Sequence, residues 1–487
     1  MKQVFNPYTP INEYVPDAEP HVFGDRVYIY GSHDKEAGEF FCMLDYVTYS
    51  APVDNLKDWR YEGVIYRACQ DPLYKDFRFM YAPDVVKGND GKYYLYYSLA
   101  DTHDCSDIMS VAVADSPVGP FEYLGFVRNP DGTPLKDYII FDPGLINDDG
   151  HIYLYYGVWY DFDENPKYTK EESMQKQMKM YRKTREEIEN TPDGVQGPVC
   201  VELEDDMMTI KAKPRRIFPA IYKGTAFEKA PFFEASSIRK VGKKYYFIYS
   251  SFYTQDLSYA VSDYPDRDFE FGGTIVSNGD LGYNGITEEN KLARVGNTHG
   301  GIENINGEWY VFYHRQTRKD EYSRQACAEK IEILPDGSIP QVEMTSCGLN
   351  GAPLLAKGEY SAFISCNLTN GKLPHGNITC ECPHLTSMGN DYYATEIHNG
   401  TMMGFKYFKF EGVKSIGINF RGGIRRPNGT LYIKTDLKAE PIGKIDISAR
   451  NNWTWLDTDV TVKDGTYPVY FIYEGDGIID IKDIRFN

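Results

Sequence analysis

The sequence lacks any apolar run near the roughly 18 to 20 residues that a membrane-spanning helix needs, which excludes such a helix. Positive charge is scarce as well, because 52 Lys and Arg stand against 71 Asp and Glu, for a net charge of −19. That charge repels nucleic acid backbones and anionic membranes, so we expect a neutral or cationic ligand. The N-terminal stretch MKQVFNPYTP has no apolar core of the kind that secretory signals carry, so we expect a cytoplasmic protein.

Cysteine is sparse and shows none of the spacings that zinc sites use. Nine cysteines are scattered along the 487 residues, and Cys380 and Cys382 form the only close pair. An odd number without a metal-type spacing predicts free thiols in a reducing compartment. No motif for an organic cofactor is present.

Aromatic residues, by contrast, are plentiful, with 41 Tyr and 26 Phe. Chains rich in aromatic residues and in Gly and Pro turns are usually β proteins. Five segments share one pattern, an aliphatic strand, a Gly-containing turn and an aromatic strand. They are HVFGDRVYIYGSHD, VVKGNDGKYYLYYSLAD, FDPGLINDDGHIYLYYG, SIRKVGKKYYFIYSSF and GIENINGEWYVFYHRQ. One hairpin is therefore repeated five times.

The spacing of these hairpins predicts an all-β fold, a five-bladed β-propeller over residues 1–345. The aromatic strands end roughly 60 to 95 residues apart, which leaves room for about four strands in each blade. A charged segment of good helix formers, KYTKEESMQKQMKMYRKTREEIEN, explains the widest gap. We expect it to form a surface helix inserted at about residues 165–195, between the third and fourth blades.

A polar residue stands upstream of each hairpin at nearly the same distance. These residues are Asp17, Asp84, Asp142, Glu234 and His299, each 13 to 15 positions before the tyrosine that ends the aromatic strand. In a propeller the innermost strand of each blade starts near the central channel, so residues at one repeated offset should converge there. Carboxylates crowded together push their pKa values apart, which is what an acid and a base need.

Residues 346–487 predict a second domain, a β-sandwich of the jelly-roll type. The hairpin repeat ends near residue 350, and short strand patterns such as SIGINFR, TLYIKTDL and YPVYFIYEG take over. Trp453 and Trp455 flank Thr454, so in a strand both face one side. They could stack on sugar, but we expect at least one to pack in the core.

Residues 13 to about 345 resemble glycoside hydrolase family 43, whose five-bladed propellers act on glycans containing arabinose and xylose. The resemblance rests on VPDAEPHVFGDRVYIYGSHD, MYAPDVVKGNDGKYYLYYS and FDPGLINDDGHIYLYYG for the first three blades. It also rests on SVAVADSPVGPFEYLG and RQACAEKIEILPDGSI. The segment TLYIKTDLKAEPIGKIDISARNNWTWLDTDV is similar to family 6 carbohydrate-binding modules, which often follow such propellers.

The resemblance implies catalytic roles for three of the aligned carboxylates. Asp17 would be the general base, Glu234 the general acid, and Asp142 the carboxylate that orients the acid and raises its pKa. The implied reaction is single-step inversion, for which the acid and base lie about 6.5 to 9.5 Å apart. Asp84 follows the second-blade motif and is expected to be structural.

The resemblance also implies further residues around the substrate. Arg324 matches a family arginine, which either forks to two ring hydroxyls or orients a carboxylate. Tyr81 stands where the family often has Trp, and would be a smaller aromatic platform. We expect His33, Asp34 and Trp159 to line the pocket.

The fifth blade departs from the family, which commonly carries paired histidines there. The stretch NTHGGIEN keeps His299 and places Gly300 second. Family members often hold a calcium ion on the propeller axis beside that histidine. His299 is therefore a candidate metal neighbour, although a hydrogen-bonded core histidine is the alternative, since calcium prefers oxygen ligands.

The expected function is that of an inverting glycosidase that releases terminal α-L-arabinofuranosyl or β-D-xylosyl residues from plant-derived oligosaccharides. An arabinan endo-hydrolase or a galactofuranosidase could use the same carboxylates. A sugar-binding propeller without turnover is a further alternative, because fold does not fix function. The oligosaccharide is the only partner expected, with neither nucleic acid nor membrane, and the oligomeric state is left open.

Overall fold

In the computed structural model, residues 19–331 fold into successive antiparallel sheets that form the blades of a propeller. The structure describes residues 2–73, 79–100, 108–161, 169–181, 183–190, 196–378 and 381–487. Blade one contains β1 (Glu19–Phe23), β2 (Arg26–Tyr30), β3 (Tyr46–Pro52) and β4 (Arg60–Tyr66). Blade two contains β5 (Phe79–Met80), β6 (Asp84–Lys87), β7 (Tyr93–Ala100), β8 (Met109–Ala114) and β9 (Glu122–Phe126).

The other three blades follow the same antiparallel order. Blade three contains β10 (Gly144–Asp148), β11 (His151–Tyr156), β12 (Val199–Leu203) and β13 (Arg215–Arg216). Blade four contains β14 (Phe232–Val241), β15 (Lys244–Ser251), β16 (Leu257–Ser262) and β17 (Glu270–Val276). Blade five contains β18 (Ile302–Ile305), β19 (Glu308–Gln316) and β20 (Arg324–Ile331).

The innermost strands form a ring. Strand β6 contacts β10, β10 contacts β14, β14 contacts β18, and β18 contacts β1. His21 on β1 closes the ring with a 2.6 Å contact between its Nε2 and Oδ1 of Asp84 on β6. The N-terminal segment lies along the outer edge of blade five, where the amide of Tyr8 donates to the carbonyl of Ala326 at 3.2 Å. The predicted five-bladed propeller is confirmed.

Local sequence explains why each blade begins with a hairpin. Aromatic and β-branched residues alternate along the inner strands, and the aromatic side chains fill the spaces between blades. Each hairpin turn contains a glycine with positive φ, which glycine adopts without steric cost. These glycines are Gly24, Gly91, Gly150, Gly242 and Gly307.

The insertion between blades three and four forms two helices rather than the single predicted helix. They are α1 (Lys170–Tyr181) and α2 (Arg185–Asn190). Thr169 and Thr184 each form a reciprocal cap with the glutamate three residues on, so a new helix begins at each threonine. The charged segment was treated as continuous, and the second helix start at Thr184 was not recognised. Residues 165–168, 182 and 191–195 of the predicted insertion lie outside the described residues. No helix in the described ranges is long and apolar enough to span a bilayer.

Residues 354–486 form two six-stranded sheets packed face to face around a second hydrophobic core. One sheet contains β21 (Leu354–Leu355), β23 (Asn367–Thr369), β26 (Met402–Phe410), β28 (Asn428–Lys434), β29 (Gly443–Ser448) and β31 (Gly465–Asp476). The other contains β22 (Gly358–Ser361), β24 (His384–Met388), β25 (Asp391–Ile397), β27 (Ser415–Arg421), β30 (Thr454–Asp459) and β32 (Ile479–Phe486). Short 3-10 turns lie at Ala68–Gln70, Asn278–Asp280, Tyr283–Gly285, Glu288–Asn290, Gly348–Asn350, Ala362–Ile364 and Gly423–Arg425.

Trp453 precedes β30 and Trp455 lies in it, and neither side chain packs in this core. Ile416, Ile418 and Phe420 of β27 point inward, so the alternate face carries both tryptophans. Arg421 lies 4.4 Å from the ring centre of Trp453, and Arg485 lies 4.2 Å from that of Trp455. Strand alternation therefore places both rings on one outer face, and the expected core role is wrong.

Polar contacts join the sandwich to the propeller. Lys406 of the sandwich lies 3.1 Å from Asp280 and 2.9 Å from Glu343. The guanidinium of Arg315 in blade five donates to two carbonyls of the sandwich segment, those of Phe363 and Ser365. Because these groups are largely buried, the contacts fix the sandwich against blade five.

The cysteines differ from expectation at one described position. Cys382 is disulfide-bonded, whereas the free thiols are Cys42, Cys69, Cys200, Cys327, Cys347 and Cys366. Cys105 and Cys380 lie outside the described residues. The expectation of free thiols is therefore wrong at Cys382, because spacing does not reveal which sulfur atoms come within bonding distance in the fold.

Candidate active site

The three predicted catalytic carboxylates lie where inner strands begin. Asp17 precedes β1, Asp142 precedes β10, and Glu234 is near the start of β14. Asp17 and Asp142 have φ of 58° and 49°, and Ala235, beside Glu234, has φ of 72°. Residues other than glycine adopt this left-handed conformation at a cost, and such residues cluster at functional sites. The same uncommon backbone therefore accompanies each carboxylate.

One hydrogen bond and the mutual effects on pKa show that the three carboxylates are neighbours. Oδ2 of Asp142 accepts a 3.0 Å hydrogen bond from the amide of Ala235, which links the start of blade three to that of blade four. The charges of Glu234 and Asp17 both act on the pKa of Asp142. The charge of Asp17 also acts on the pKa of Glu234. Asp17, Asp142 and Glu234 therefore lie close enough to influence one another's pKa.

Asp17 is held in its ionised form. Burial by itself would raise the pKa of Asp17, but the guanidinium of Arg324 and the ring of His314 outweigh burial and hold it well below its usual range. Nη1 of Arg324 donates to Oδ1 of Asp17 at 2.9 Å, and Nδ1 of His314 lies 3.1 Å from the same oxygen. A buried carboxylate with these partners remains an anion at neutral pH.

Glu234, in contrast to Asp17, favours its protonated form. Burial, and then the negative charge of Asp17, raise the pKa of Glu234 to about 8. Burial and the charge of Glu234 also raise the pKa of Asp142 well above its usual range. Two neighbouring buried carboxylates cannot both ionise easily, so the pair carries a proton at neutral pH. The Ala235 amide stabilises the charged form of Asp142, which favours the proton on Glu234.

Arg324 is buried and faces two carboxylates. Its Nε and Nη2 donate to the two oxygens of Asp34 at 2.8 and 3.0 Å, and its Nη1 reaches Asp17. Its guanidinium also lies 4.8 Å from the ring centre of Phe41. Of the two roles left open for Arg324, the contacts correspond to the orientation of a carboxylate. Asp34, predicted to line the pocket, instead contacts Arg324 and the amide of Cys42.

His314 is a site residue that the motif analysis did not select. Its Nδ1 lies 3.1 Å from the backbone nitrogen of Asp17, and its Nε2 lies 2.8 Å from the carbonyl oxygen of Asn297. The ring is fully buried and fixes both the backbone and the carboxylate of Asp17. A signal was present, because His314 is the first polar residue after the aromatic strand YVFY in the fifth repeat.

His299 lies beside Asp142, with 3.5 Å between its Nδ1 and Oδ2 of Asp142. Burial lowers the pKa of His299 to about 4, so the ring is neutral at neutral pH. The next residue is Gly300. A Cβ at this position would lie 1.9 Å from the carbonyl oxygen of Phe312, so there is no room for a second histidine. Calcium takes six to eight oxygen ligands, which can include water, and the carboxylates near His299 are those of Asp142 and Asp17. The calcium site stays a prediction.

Asp84 does not join the other carboxylates. Its oxygens accept hydrogen bonds from the amides of Val85 and Leu145, both at 2.6 Å. With Glu19 and His21 it forms the one group of three close ligand-type side chains found among the described residues. Strand pairing explains why Asp84 lies apart. Asp84 pairs with Tyr96 in blade two as Glu19 pairs with Tyr30 in blade one, so Asp84 corresponds to Glu19, which is two residues past Asp17. Two residues of strand correspond to about 7 Å along the channel.

The remaining predicted residues, Tyr81, Trp159 and His33, differ in whether they contact the segments that carry the carboxylates. The ring of Tyr81 packs 5.1 Å from that of Phe141, the residue before Asp142. The amide of Trp159 donates to the carbonyl of Phe233, the residue before Glu234, at 2.8 Å. His33 is held elsewhere, by the carbonyl of Asp45 at 2.8 Å and by Glu13 at 3.5 Å. Tyr81 and Trp159 therefore flank the carboxylates, whereas the described contacts do not connect His33 to them.

Comparisons with known proteins agree with this geometry. The sequence profile of "Glycosyl hydrolases family 43" matches residues 9–339. A xylosidase/arabinosidase of Thermoclostridium stercorarium is 44% identical over 500 residues, covering 99% of this chain and 98% of that protein. A xylosidase/arabinosidase of Bacteroides ovatus is 31% identical, covering 63% of this chain and 87% of that protein.

Solved structures are similar as well. One is a family 43 β-xylosidase/α-arabinofuranosidase from a compost microbial metagenome, in complex with xylotriose and calcium-free. It is 26% identical, covers 69% of this chain and 96% of its own, and has a TM-score of 0.51.

Proposed function

The chain belongs to family 43 of the glycosyl hydrolases, and we propose that it is an exo-acting, inverting glycosidase built on Asp17, Asp142 and Glu234. It is a glycoside hydrolase that releases arabinofuranosyl or xylosyl residues, as the names of its relatives indicate. The proposal adds that the residue released is terminal, that the anomeric configuration inverts, and that these three side chains carry the reaction.

One observation supports the proposed roles above all others, the opposite protonation of Asp17 and Glu234. Arg324 and His314 keep the pKa of Asp17 low, whereas burial and the Asp17 charge raise the pKa of Glu234 to about 8. At neutral pH the site therefore combines an anionic carboxylate with a protonated one. That is the pair that acid and base catalysis of glycoside hydrolysis requires.

The proposed reaction proceeds in one step. Glu234 gives its proton to the departing glycosidic oxygen as the bond to the anomeric carbon breaks. Asp17 takes a proton from a water molecule that attacks this carbon from the opposite face. Arg324 and His314 hold Asp17 in position, and Asp142 orients the start of blade four through the Ala235 amide. The products are a sugar of inverted configuration and the shortened oligosaccharide.

Two measurements test the proposal. The first is hydrolysis of nitrophenyl α-L-arabinofuranoside, β-D-xyloside and β-D-galactofuranoside, which identifies the sugar. The second is proton NMR of the fresh product, which reports the anomeric configuration before mutarotation. We expect inverted product at the first time points, and retained product would refute the single-step reaction. Silence on all three glycosides with cleavage of polymeric arabinan would indicate an endo-hydrolase.

Replacement of Asp142 by Asn should reduce turnover more than binding. The amide removes the negative charge of Asp142 beside Glu234, so the pKa of Glu234 falls. Activity needs protonated Glu234 and declines as pH rises through that pKa, so the alkaline limb moves to lower pH. We expect kcat to fall about 100-fold with KM changed little. The measurement is kcat and KM from pH 5 to 9, and full activity across that range would contradict the assignment.

A further inference from the structure

A cleft of about 490 Å³ opens between blades three and four and the helical insertion. Its size lies in the range of small-molecule sites, about 300 to 1,000 Å³. The walls come from three loops and from helix α1. The residues used below are Trp159, Gln177, Gln196, Ile221, Tyr222 and Tyr253. The proposed reaction does not use any of them.

The cleft lies at the catalytic end of the propeller. Trp159 follows the end of β11, Gln196 precedes β12, Ile221 and Tyr222 precede β14, and Tyr253 follows β15. Strand pairing places these strand ends beside the starts of β10 and β14, since Gly144 pairs with Tyr155 and Phe232 pairs with Ser251. Those starts carry Asp142 and Glu234. The cleft and the carboxylates therefore share one end of two adjacent blades.

Backbone hydrogen bonds fix the cleft wall to the strand that carries Glu234. The amide of Trp159 donates to the carbonyl of Phe233 at 2.8 Å, and the amide of Phe252 donates to the carbonyl of Pro231 at 2.9 Å. One of these carbonyls belongs to the residue directly before Glu234. The wall is therefore built against the same segment that presents the proposed acid.

The surfaces of the cleft suit an uncharged sugar ring. Tyr253 is 49% exposed and Ile221 is 74% exposed, although both are apolar. The indole of Trp159 is held edge-to-face by Tyr222 and Phe252, each at 5.1 Å between ring centres. A pyranose ring presents C–H bonds on its faces and hydroxyl groups at its edges, so it matches flat apolar side chains flanked by amides such as Gln177 and Gln196.

The charged residues of the cleft do not select an ion. Asp161 and Glu228 are acidic and Lys223 is basic, so both signs are present. A neutral, polyhydroxylated ligand is the class that this mixture accommodates. Chemistry indicates which side of the scissile bond the cleft serves. An acid that protonates the departing oxygen must lie beside the leaving group, so a cleft built against the Glu234 segment faces that side.

We propose that this cleft binds the sugar units on the leaving-group side of the scissile bond, so that the enzyme prefers oligosaccharides to substrates with small leaving groups. The proposal rests on the proposed function, since it assumes that Glu234 is the acid. It gives the insertion between blades three and four a role, because helix α1 supplies Gln177 to the wall. Tyr253 is the ring most open to a ligand and is a substrate-binding residue in this proposal.

The test compares two substrates in wild type and in Tyr253→Ala. One is xylotetraose, whose leaving group is a trisaccharide, and the other is β-D-xylosyl fluoride, whose leaving group is one atom. The quantity measured is the ratio of kcat/KM for the tetrasaccharide to kcat/KM for the fluoride. Loss of an aromatic face should lower this ratio about tenfold. Tyr253→Phe keeps the ring and should restore the ratio. An α-1,5-linked arabinotetraose with arabinofuranosyl fluoride forms a parallel arm for the arabinose series.

The control is Tyr264→Ala, because Tyr264 is similarly exposed at 45% but lies between β16 and β17, at the opposite end of blade four. Its ratio should equal that of wild type. A ratio within twofold of wild type for Tyr253→Ala in both arms overturns the cleft proposal and leaves the glycosidase intact.

Failure of the proposed function would look different, because wild type would then cleave neither the tetrasaccharide nor the glycosyl fluoride of either sugar series. Calorimetric titration with the tetrasaccharides, in Glu234→Gln with and without Tyr253→Ala, examines the cleft apart from turnover. We expect binding that weakens about tenfold when the ring is removed. Equal affinity overturns the proposal.

Discussion

Replacement of Glu234 by Gln should reduce kcat/KM for oligosaccharides about 1,000-fold, within the range that general acid catalysis contributes. A glutamine cannot give a proton to the departing oxygen, and a sugar alkoxide is a poor leaving group without one. The alkaline limb of the pH profile, expected near the Glu234 pKa of about 8, should disappear with the residue. The measurement is the pH profile of kcat/KM with an oligosaccharide and with a dinitrophenyl glycoside.

The dinitrophenyl glycoside separates acid catalysis from other damage. Dinitrophenolate departs without protonation, so its release should fall far less in Glu234→Gln than that of a sugar. Glu329→Gln is a matched control, because burial also raises the pKa of Glu329 to about 8, but Glu329 lies on β20 of blade five and accepts hydrogen bonds from Thr345. The control should keep the alkaline limb. Equal losses on both substrates in Glu234→Gln would show that Glu234 acts by another route.

The repeated hairpins could be predicted because their causes are local. Alternating aromatic residues and a turn glycine specify each hairpin within about fifteen residues of sequence. Five copies then imply a closed ring, since each blade needs neighbours to bury its aromatic faces. The offset of Asp17, Asp142 and Glu234 followed from the same regularity. Family resemblance added their roles, which the pKa directions support.

Features that depend on distant parts of the chain could not be predicted in this way. Asp84 shares the offset but not the site, because the segment before β6 is two residues out of register with that before β1. The contacts of Asp34 and His314 with Arg324 and Asp17 join residues about 300 positions apart. The sequence named Asp34 and Arg324 and held a positional signal for His314, but only the closed fold shows which of these side chains pair.

Replacement of Asp17 by Asn should reduce kcat by about 1,000-fold or more. An amide does not take a proton from water, and Arg324 and His314 would lose the carboxylate charge that they contact. Asparagine tolerates the left-handed backbone that Asp17 adopts, with φ of 58°, so the local fold should persist. The measurement is single-substrate kinetics on the preferred nitrophenyl glycoside, with circular dichroism to verify folding.

Azide rescue tests whether Asp17 acts directly in the reaction, and the configuration of the wild-type product then distinguishes a base from a nucleophile. In Asp17→Gly, which also permits a left-handed backbone and leaves space for an anion, azide should restore turnover without a base, because it needs no deprotonation. In either role the product of Asp17→Gly is a glycosyl azide of inverted configuration, but wild type inverts configuration if Asp17 is a base and retains it if Asp17 is a nucleophile. Asp84→Asn is the matched control, since Asp84 is an equally buried channel carboxylate two residues deeper, and it should retain most of the activity. A tenfold loss or less in Asp17→Asn, with no response of Asp17→Gly to azide, would remove Asp17 from the reaction and leave its pairing with Arg324 as a structural contact.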